Sequence, residues 1–504
     1  MHPHKQVAIL VAILLLTFPV KGQQQDGSVF ERRVTLRIQN QPLEYILAQI
    51  SWQAGVYFSY DASIVNSETN CSVEAENKSL FIVLNQLFDP KKYSLIEREN
   101  QVIISLKKVN PGGISAPTDS IKVKYFFLSG KLVEDRKGKP VPYASVSVFN
   151  KPIGTISNTD GDFLLKLHPN NINDTVVISS MGYNQILLPA FKLLDEDLFI
   201  LKPVSIRLKE VTVTAISPQK LLENIRNNRE KNYTEHPRLM TAFYRETVKQ
   251  DDNYINVSEA VLEILKSPYT TTFRTDLVRL IKGRKSPDVQ PFRWLNFKLQ
   301  GGPFTIIQLD VVKTVENFID KKSEHSFKYE VSKVIWFHDE PVYVLTFSPV
   351  ADDVFPGYTG ELYVHRESFA IVHARFQFNK SSLKEAASIM IRKKPPKVKA
   401  RPTYVEYSVN YQLYQGKWHL STARASVKFK IRSKRDKLNS EFHSISDLLI
   451  TDIQATELKR FPSDERFSRD DVFVEKLGQF DEKYWENYNI IKPDEDLQNA
   501  FKTK

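Results

Sequence analysis

The spacing of hydrophobic residues predicts a small α+β region at residues 33–106. Alternation from Val34 to Ile38 has the period of a half-buried strand. The apolar residues that follow return every three or four positions, which predicts an amphipathic helix. They are Leu43, Ile46, Leu47 and Ile50. A second helical stripe lies between Leu80 and Leu87 and has strand patterns on both sides, so two successive strand–helix–strand units are expected.

The strand period returns after residue 126, where turn residues separate short alternating runs. Ala144, Val146 and Val148 alternate with polar residues in one such run. The pair Asp160-Gly161 then indicates a tight hairpin, because glycine accepts the positive φ that such a turn requires. This region is therefore expected to be a set of short antiparallel strands.

The C-terminal part, residues 217–504, begins with a predicted helix and continues mainly as strands. Ser217 and Pro218 supply an N-cap and a first-turn proline for that helix. Short turns separate several of the strands that follow, which favours a large antiparallel sheet. The intervening stretch 266–327 is predicted to be partly helical or irregular. The candidate strands are 240–249, 254–265, 328–338, 341–349, 358–366, 369–378, 403–415, 417–431 and 441–453.

Two further stretches are interpreted as a targeting segment and a linker. Residues 1–22 contain a lysine near the start and an apolar run that is too short to cross a bilayer, so they predict a signal peptide cleaved after Gly22. An uncleaved membrane anchor is the alternative. Residues 107–124 hold Pro111-Gly112-Gly113 and few apolar residues, as is typical of a linker.

Charge and cysteine content narrow the classes of partner and compartment. The formal net charge is +11, with 70 lysines and arginines against 59 acidic residues, which favours contact with anionic partners. Predicted export argues against nucleic acid as that partner. Cys71 is the only cysteine, so an internal disulfide is excluded and a buried thiol is expected.

Residues 126–213 resemble the carboxypeptidase-regulatory-like domain, a small transthyretin-like β-sandwich. The resemblance is carried by turn and core residues. They are Gly130, Asp135, Gly138, Pro140, Ala144, Val146, Gly154, Thr159, Asp160, Gly161, Phe163, Gly182 and Tyr183. The resemblance implies an accessory domain without peptidase chemistry. In Bacteroidota envelopes, such domains precede outer-membrane machinery, so an exported protein of the periplasm or outer membrane is expected.

The flanking regions carry two further resemblances. Residues 33–106 are similar to the secretin/TonB short N-terminal domain through the first helix, Phe58-Ser59-Tyr60 and the second helix, which implies a periplasmic protein-interaction module. The C-terminal part resembles uncharacterised Bacteroidota envelope proteins, for example at Tyr358-Thr359-Gly360-Glu361-Leu362. The strand rhythm of 328–453 is similar to the half-open barrels of lipoprotein carriers. The expected fold is thus multidomain and mainly β.

The sequence contains no pattern from which a catalytic residue, a metal ligand or a cofactor can be assigned. The zinc-peptidase motif His-Glu-x-x-His is absent. Asp160 and Asp162 fit a turn better than a calcium site, because calcium takes six to eight oxygen ligands. An enzyme of unknown type would need a pocket in which, for example, Glu259, His365 and His373 converge.

Two basic stretches form the candidate contact surface, for anionic lipid headgroups or an acidic partner. Alternate residues of a strand share a face, so Lys428, Lys430 and Arg432 are expected to form one charged stripe. A solvated loop is the alternative interpretation. The full candidate set is Arg392, Lys393, Lys394, Lys397, Lys399, Arg401, Lys428, Lys430 and Arg432. Separately, Asp119-Ser120-Ile121 looks like a Bacteroidota O-glycosylation signal, which makes Ser120 a candidate modification site.

Three functions are compatible with these features. The leading hypothesis is a non-enzymatic envelope adaptor that docks a periplasmic or outer-membrane protein through residues 33–106. The second is a carrier that holds lipid or another apolar ligand in the C-terminal β-domain. The third is an enzyme of unknown type.

Overall fold

The computed structural model divides the chain into two compact units, Met1–Ser120 and Ile121–Lys504. They are called the N-terminal and C-terminal units below. The predicted signal peptide, the predicted linker and Ser120 lie outside the described residues. None of the helices in the described residues has the length and apolarity needed to span a bilayer. The described residues are 29–60, 69–89, 92–98, 100–106, 125–135, 138–168, 171, 174–194, 196–204, 216–271, 274–286, 298–299, 302–338, 340–393, 397–435, 437–469, 471–477, 485 and 488–501.

The N-terminal unit contains the two predicted strand–helix–strand repeats around a core of its own. Ile46 and Ile50 of the first helix and Leu84 of the second are fully buried there. Gly55 ends the first helix in the left-handed conformation. Cys71 is only partly buried, so the expectation of a buried thiol was wrong. The elements are β1 Arg33–Pro42, α1 Leu43–Ala54, β2 Tyr57–Tyr60, β3 Asn70–Ser79, α2 Leu80–Leu87, β4 Tyr93–Arg98 and β5 Gln101–Leu106.

Pairing within this unit joins strands from both repeats. Strands β1 and β3 form an antiparallel pair, and β5 lies between β2, which is parallel to it, and β4, which is antiparallel. Each repeat therefore contributes a strand to both small sheets, and the two helices bury their apolar stripes in the shared core. The two repeats form a single folding unit for this reason.

The C-terminal unit begins with a sandwich of two small sheets. Its seven strands are β6 Phe126–Val133, β7 Ser145–Val148, β8 Gly154–Ile156, β9 Asp162–Leu167, β10 Thr175–Ser179, β11 Ile186–Pro189 and β12 Leu198–Ile200. The strand orders are β11-β10-β7-β8 and β12-β6-β9. The Asp160-Gly161 turn requires glycine, because Gly161 has a φ of +82° and a Cβ there would lie 2.3 Å from the Leu132 carbonyl oxygen.

The remainder of the C-terminal unit is built on one large sheet with short helices. Its elements in chain order are α3 Pro218–Asn227, α4 Arg229–Asn232, β13 Arg238–Gln250, β14 Asn253–Lys266, β15 Leu277–Lys285, β16 Lys298–Leu299, α5 Gly302–Ile306, α6 Val311–Thr314, β17 Phe327–Phe337, β18 Glu340–Pro349, β19 Tyr358–His365, β20 Ile371–Phe378, α7 Lys380–Met390, β21 Ile391–Lys393, β22 Val398–Tyr414, β23 Lys417–Ser433, β24 Leu438–Ala455 and α8 Glu495–Phe501.

Ten of these strands form a single antiparallel sheet in the order β15-β14-β13-β24-β23-β22-β20-β19-β18-β17. The fold class predicted from the sequence, multidomain and mainly β with a large antiparallel sheet, is thereby confirmed. Within the described residues the edge strands β15 and β17 do not pair with each other, so the sheet is open. Strand β15 was missing from the prediction, because a register shift beside Leu280 interrupts its alternation.

The two faces of the large sheet have different coverings. The inner face carries the main core, in which Tyr244, Leu420 and Leu448 pack against α3, α5 and α6. The outer face meets the sandwich and the end of the chain. There Ile156 of β8 packs with Phe243 of the large sheet, together with Trp485, Ile490 and Ile491.

The residues before α8 join the sandwich to the large sheet by hydrogen bonds as well as apolar contacts. The Asn489 side chain accepts from the Lys166 amide at 2.7 Å and donates to the Lys166 carbonyl at 3.1 Å. The Thr155 hydroxyl donates to the Ile490 carbonyl at 2.9 Å. On the other side, Arg245 of the sheet donates to the Ile491 carbonyl at 2.6 Å. The segment that contains Asn489, Ile490 and Ile491 thus connects the sandwich to the large sheet within one unit. It is called the C-terminal clamp below.

Replacement of Asn489 by alanine should weaken the clamp. The substitution removes two hydrogen bonds at a buried site and leaves the Lys166 amide and carbonyl without this partner. We expect the free energy of unfolding to fall by about 2 kcal/mol, measured by urea denaturation. Gln498→Ala is the matched control, since Gln498 is exposed and makes one hydrogen bond to the nearby Pro493 carbonyl. Equal small effects of both substitutions would contradict the clamp.

Candidate functional site

The basic residues predicted as a contact surface meet at one end of β22 and β23. Lys399 lies opposite Arg432, and Arg401 lies opposite Lys430. Residues directly opposite in an antiparallel pair share a face, so these four side chains form two rows of like charge. Lys397, Lys428 and the basic residues of the turn after β23 extend the set. We call Lys397, Lys399, Arg401, Lys428, Lys430, Arg432, Lys434, Arg435 and Lys437 the basic surface.

The structure describes most, though not all, of the residues predicted for this surface. Arg392 and Lys393 lie on β21, and Lys394 lies outside the described residues. Lys397, Lys399, Arg401 and Arg432 are exposed, whereas Lys428 and Lys430 are partly exposed. Lys428, Lys430 and Arg432 lie on one face of β23, as their alternation predicts, because β23 pairs with β24 without a register shift throughout this segment.

Few acidic groups neutralise the basic surface. Lys428 lies 3.3 Å from a Glu441 carboxylate oxygen, and the Arg432 side chain donates to the Asn439 amide oxygen at 3.1 Å. Within the described residues, no carboxylate lies within 4.0 Å of the charged groups of Lys399, Arg401 or Lys430. Like charges directly opposite on neighbouring strands are destabilising, so this arrangement is not explained by stability.

On the rest of the outer face, side chains of opposite charge are neighbours. Cross-strand neighbours along one row alternate in sign from β15 to β23, and most are bonded to each other. Glu259 accepts from Arg284 at 2.8 Å and from Arg245 at 2.7 Å, and Arg424 lies 2.6 Å from Asp447. Burial would raise the pKa of Glu259, but the two guanidinium groups outweigh it and hold that pKa below its usual range. Neutralised pairs are therefore the pattern on this face outside the basic surface.

The residues suggested for an enzyme do not converge. Glu259 is held by two arginines. His365 lies against Glu340 and Ser368, and His373 contacts the Asn410 amide oxygen at 2.7 Å. The three residues share no partner in these contacts, so this constellation forms no catalytic site.

The turn aspartates are also accounted for by local structure. The Asn158 side chain accepts from the amides of Asp160 and Asp162, and the Asp160 carboxylate accepts from the Glu495 amide. Among the residues that the structure describes, no group of three or more His, Cys, Asp or Glu side chains is placed to hold a metal ion.

A buried cluster of charges lies on the inner face. Lys266, at the end of β14, makes 2.6 Å contacts with both Asp276 and Asp310. Asp310 also accepts from the Tyr269 and Tyr411 hydroxyls, each at 2.7 Å, and its side chain caps α6. Burial alone would raise the pKa of Asp310, but Lys266 and the hydroxyl donors keep it below its usual range. We call these five residues the ion cluster.

The ion cluster holds the segment that covers the inner face. Because Asp310 begins α6, its bonds to β14 and β22 fix that helix on the sheet. Arg229 of α4 donates to the Val312 carbonyl at 3.1 Å and thereby joins a second helix to α6. The bonding groups of Asp310 are all used within the protein, so the cluster has a structural role.

Little space remains beneath these helices. A cavity of about 110 Å³ lies between α3, α4 and α6, lined by Ile225, Arg226, Arg229, Tyr233, Val312, Val315, Ile319 and Ile371. Pockets that hold small ligands usually measure about 300–1,000 Å³. A more open cleft of about 530 Å³ lies beside β15. Arg279, which lines this cleft, is paired with Glu263 and Glu465.

Sequence reasoning missed the ion cluster. Lys266, Asp276 and Asp310 lie in or beside the stretch that was expected to be partly helical or irregular. Their spacing matches no motif, since the residues come from a strand end, a loop and a helix cap. The charge row on the outer face was detectable in principle, because Arg245 and Glu259 occupy polar positions within otherwise buried strands.

Comparison with known families identifies one domain. Residues 128–213 match the model of the CarboxypepD_reg-like domain, which confirms the resemblance stated for the sandwich. The model covers only this part of the chain. No curated protein matches the chain in sequence.

Comparison with solved structures finds weak likenesses. A LolA superfamily protein from Nitrosomonas europaea has 13% identity and a TM-score of 0.22, with 48% of this chain and 96% of that chain covered. A DUF1329 family protein from Desulfovibrio piger has 8% identity and a TM-score of 0.23, covering 49% and 96%. Lipovitellin has 8% identity and a TM-score of 0.22, covering 46% and 27%. At these scores the likenesses assign no function.

Replacement of Asp310 by asparagine should destabilise the C-terminal unit. Lys266 would keep only Asp276 as a charged partner at a fully buried site, and breaking a buried ion pair typically costs about 3–5 kcal/mol. We expect a loss of about 3 kcal/mol in the free energy of unfolding. The matched control is Asp320→Asn, which alters another helix-capping aspartate near the surface. Similar losses for both variants would show that Asp310 acts only as a cap.

Stability should also fall in mildly acidic solution because of His419, which is buried, and His373, which is partly buried. Burial lowers the pKa of His373 and of His419 to about 4, below the unfolded value of about 6.5. Their contribution is fully present above pH 6.5 and is lost as the pH falls toward 4, because protonation favours the unfolded chain. Urea unfolding between pH 7 and pH 4 measures this loss. His373→Gln should reduce the pH dependence, and an unchanged profile would contradict the assignment.

Proposed function

We propose that the protein is a non-enzymatic docking protein of the cell envelope. In this proposal the N-terminal unit binds a protein partner, and the C-terminal unit is a rigid body that carries no bound substrate. Support comes from the predicted signal peptide, from the CarboxypepD_reg-like domain and from the resemblance of the N-terminal unit to a periplasmic interaction module.

The observation that carries the proposal is an exposed aromatic pair on α1. Trp52 is 83% exposed and Tyr45 is 47% exposed. They lie two helical turns apart, on the side of α1 opposite Ile46 and Ile50, which are fully buried. The core of the unit is complete without these aromatic side chains. Tryptophan and tyrosine are the residues that most often anchor protein–protein interfaces, so this face fits a partner with an apolar pocket.

The construction of the C-terminal unit supports a rigid role. The C-terminal clamp bonds the sandwich to the large sheet, and the ion cluster bonds the covering helices to the inner face of that sheet. Neither arrangement requires a ligand. A connector that holds a fixed geometry is consistent with both.

A carrier of lipid or another apolar molecule is the second candidate. It is favoured by the apolar lining of the inner-face cavity and by Arg229, which borders that cavity and makes no ion pair among the described residues. The volume of about 110 Å³ argues against it, since an acyl chain would require α6 to move. Native mass spectrometry of the purified protein distinguishes the two functions, because a carrier would retain a bound lipid.

The docking role is tested by replacing Trp52 and Tyr45 with alanine in the full-length chain. We expect a partner that is captured from envelope extracts and identified by mass spectrometry to bind at least about 30-fold more weakly, as for an interface anchor. Deletion of residues 33–106 should abolish the same interaction. Stability should change by less than about 0.5 kcal/mol, because both side chains are exposed.

Ile96→Ala is the matched control for these variants. Ile96 is 44% exposed on β4 of the same unit, away from α1. Partner capture that survives both the double substitution and the deletion would overturn the docking role of this unit.

A further inference from the structure

We infer that the basic surface binds the anionic lipid headgroups of a membrane, independently of the aromatic pair on the N-terminal unit. The inference rests on three observations: where the net charge of the chain lies, how the structure arranges it, and which side chains are absent around it.

The whole net charge of the protein resides in two short stretches. Residues 392–401 and 428–437 together contain twelve lysines and arginines and one acidic residue, Asp436, which gives a formal charge of +11. The chain as a whole also has a net charge of +11, from 70 basic and 59 acidic residues. The remaining residues therefore include 58 lysines and arginines and 58 acidic residues. The positive charge that suggested an anionic partner is a local property of one region.

The fold places the part of the first stretch that lies on β22 beside the second stretch. Strands β22 and β23 pair so that Lys399 faces Arg432 and Arg401 faces Lys430. The turn that follows β23 adds Lys434, Arg435 and Lys437, all of which are exposed. The sandwich covers the same sheet face nearer the middle of β23, where Tyr143 lies 4.1 Å from the Arg424 guanidinium. The basic surface lies beyond that contact along the strand and is accessible.

The surroundings favour a membrane over an acidic protein as the occupant. A stable protein interface usually has a central apolar or aromatic anchor that is buried on binding. The large hydrophobic side chains that are exposed in the described residues include none between Lys397 and Arg401 or between Lys428 and Lys437. Adsorption to an anionic bilayer needs no such anchor, because each lysine or arginine near the surface contributes independently. A positively charged surface that lacks an apolar anchor therefore fits an anionic lipid bilayer better than a protein partner.

The proposed interaction is electrostatic and should have the corresponding signature. Binding should depend on the fraction of anionic lipid and should weaken as salt screens the surface. The geometry also predicts an effect on the free protein. Removing the like charges that face each other across β22 and β23 should leave stability unchanged or raise it, since their repulsion opposes folding.

Vesicle sedimentation with the full-length chain tests the inference. The wild type should bind vesicles that contain phosphatidylglycerol and should not bind pure phosphatidylcholine. The variant combining Lys399→Gln, Arg401→Gln, Lys430→Gln and Arg432→Gln should bind on the order of a thousand-fold more weakly, while its melting temperature stays equal or rises. A second variant, Lys434→Gln with Arg435→Gln and Lys437→Gln, lies largely outside the strands and should lose on the order of a hundred-fold.

The matched control removes the same number of charges elsewhere. Lys321, Lys322, Lys328 and Lys333 are exposed at or near edge strand β17, and their replacement by glutamine should leave vesicle binding within a few-fold of the wild type. An equal loss in this control would mean that overall charge, not the basic surface, governs binding. Absence of binding to anionic vesicles, or tighter binding to soluble polyglutamate than to vesicles, would overturn the inference.

Discussion

The ion cluster fixes helix α6 on the inner face of the large sheet. The inner face of this open ten-stranded sheet is apolar and must be covered, and the helices that cover it include very short ones. Helix α6 has only four residues, Val311–Thr314, too few to be stable by itself. It is held because Asp310 caps it and simultaneously bonds to Lys266, Tyr269 and Tyr411. Burying a charged group costs desolvation free energy. This cluster offsets that cost because its charged groups form ion pairs and hydrogen bonds with one another.

The two faces of the large sheet differ in how their charged side chains are arranged. On the inner face, the ion cluster places paired charges within an apolar core. On the outer face, Arg245, Glu259 and Arg284 form a neutralised row beneath the sandwich and the C-terminal clamp. At the ends of β22 and β23, by contrast, Lys399, Arg401 and Lys430 have no carboxylate within 4.0 Å among the described residues. This contrast is the physical basis for the proposed role of the basic surface.

Much of the fold could be predicted because periodicity is a local property. The nine strands expected between residues 240 and 453 are all present, since apolar residues at strand spacing mark them. Strand β15 could not be predicted in the same way, because the register shift beside Leu280 disturbs its alternation. The basic surface was detectable because its like-charged residues alternate along a predicted strand and therefore share a face. The ion cluster was not, since Lys266 and Asp310 meet only through the tertiary fold.

The C-terminal clamp has a consequence for the order of assembly. Asn158 in the sandwich bonds to the Pro493 carbonyl, which lies 335 residues later in the chain. A chain emerging from the ribosome or crossing a membrane from its N-terminus can complete the sandwich strands early, but the clamp contacts must await the segment around Pro493. The clamp contacts thus form after the strands of the sandwich and of the sheet are available. A chain that stops before Asn489 would contain both parts without these contacts between them.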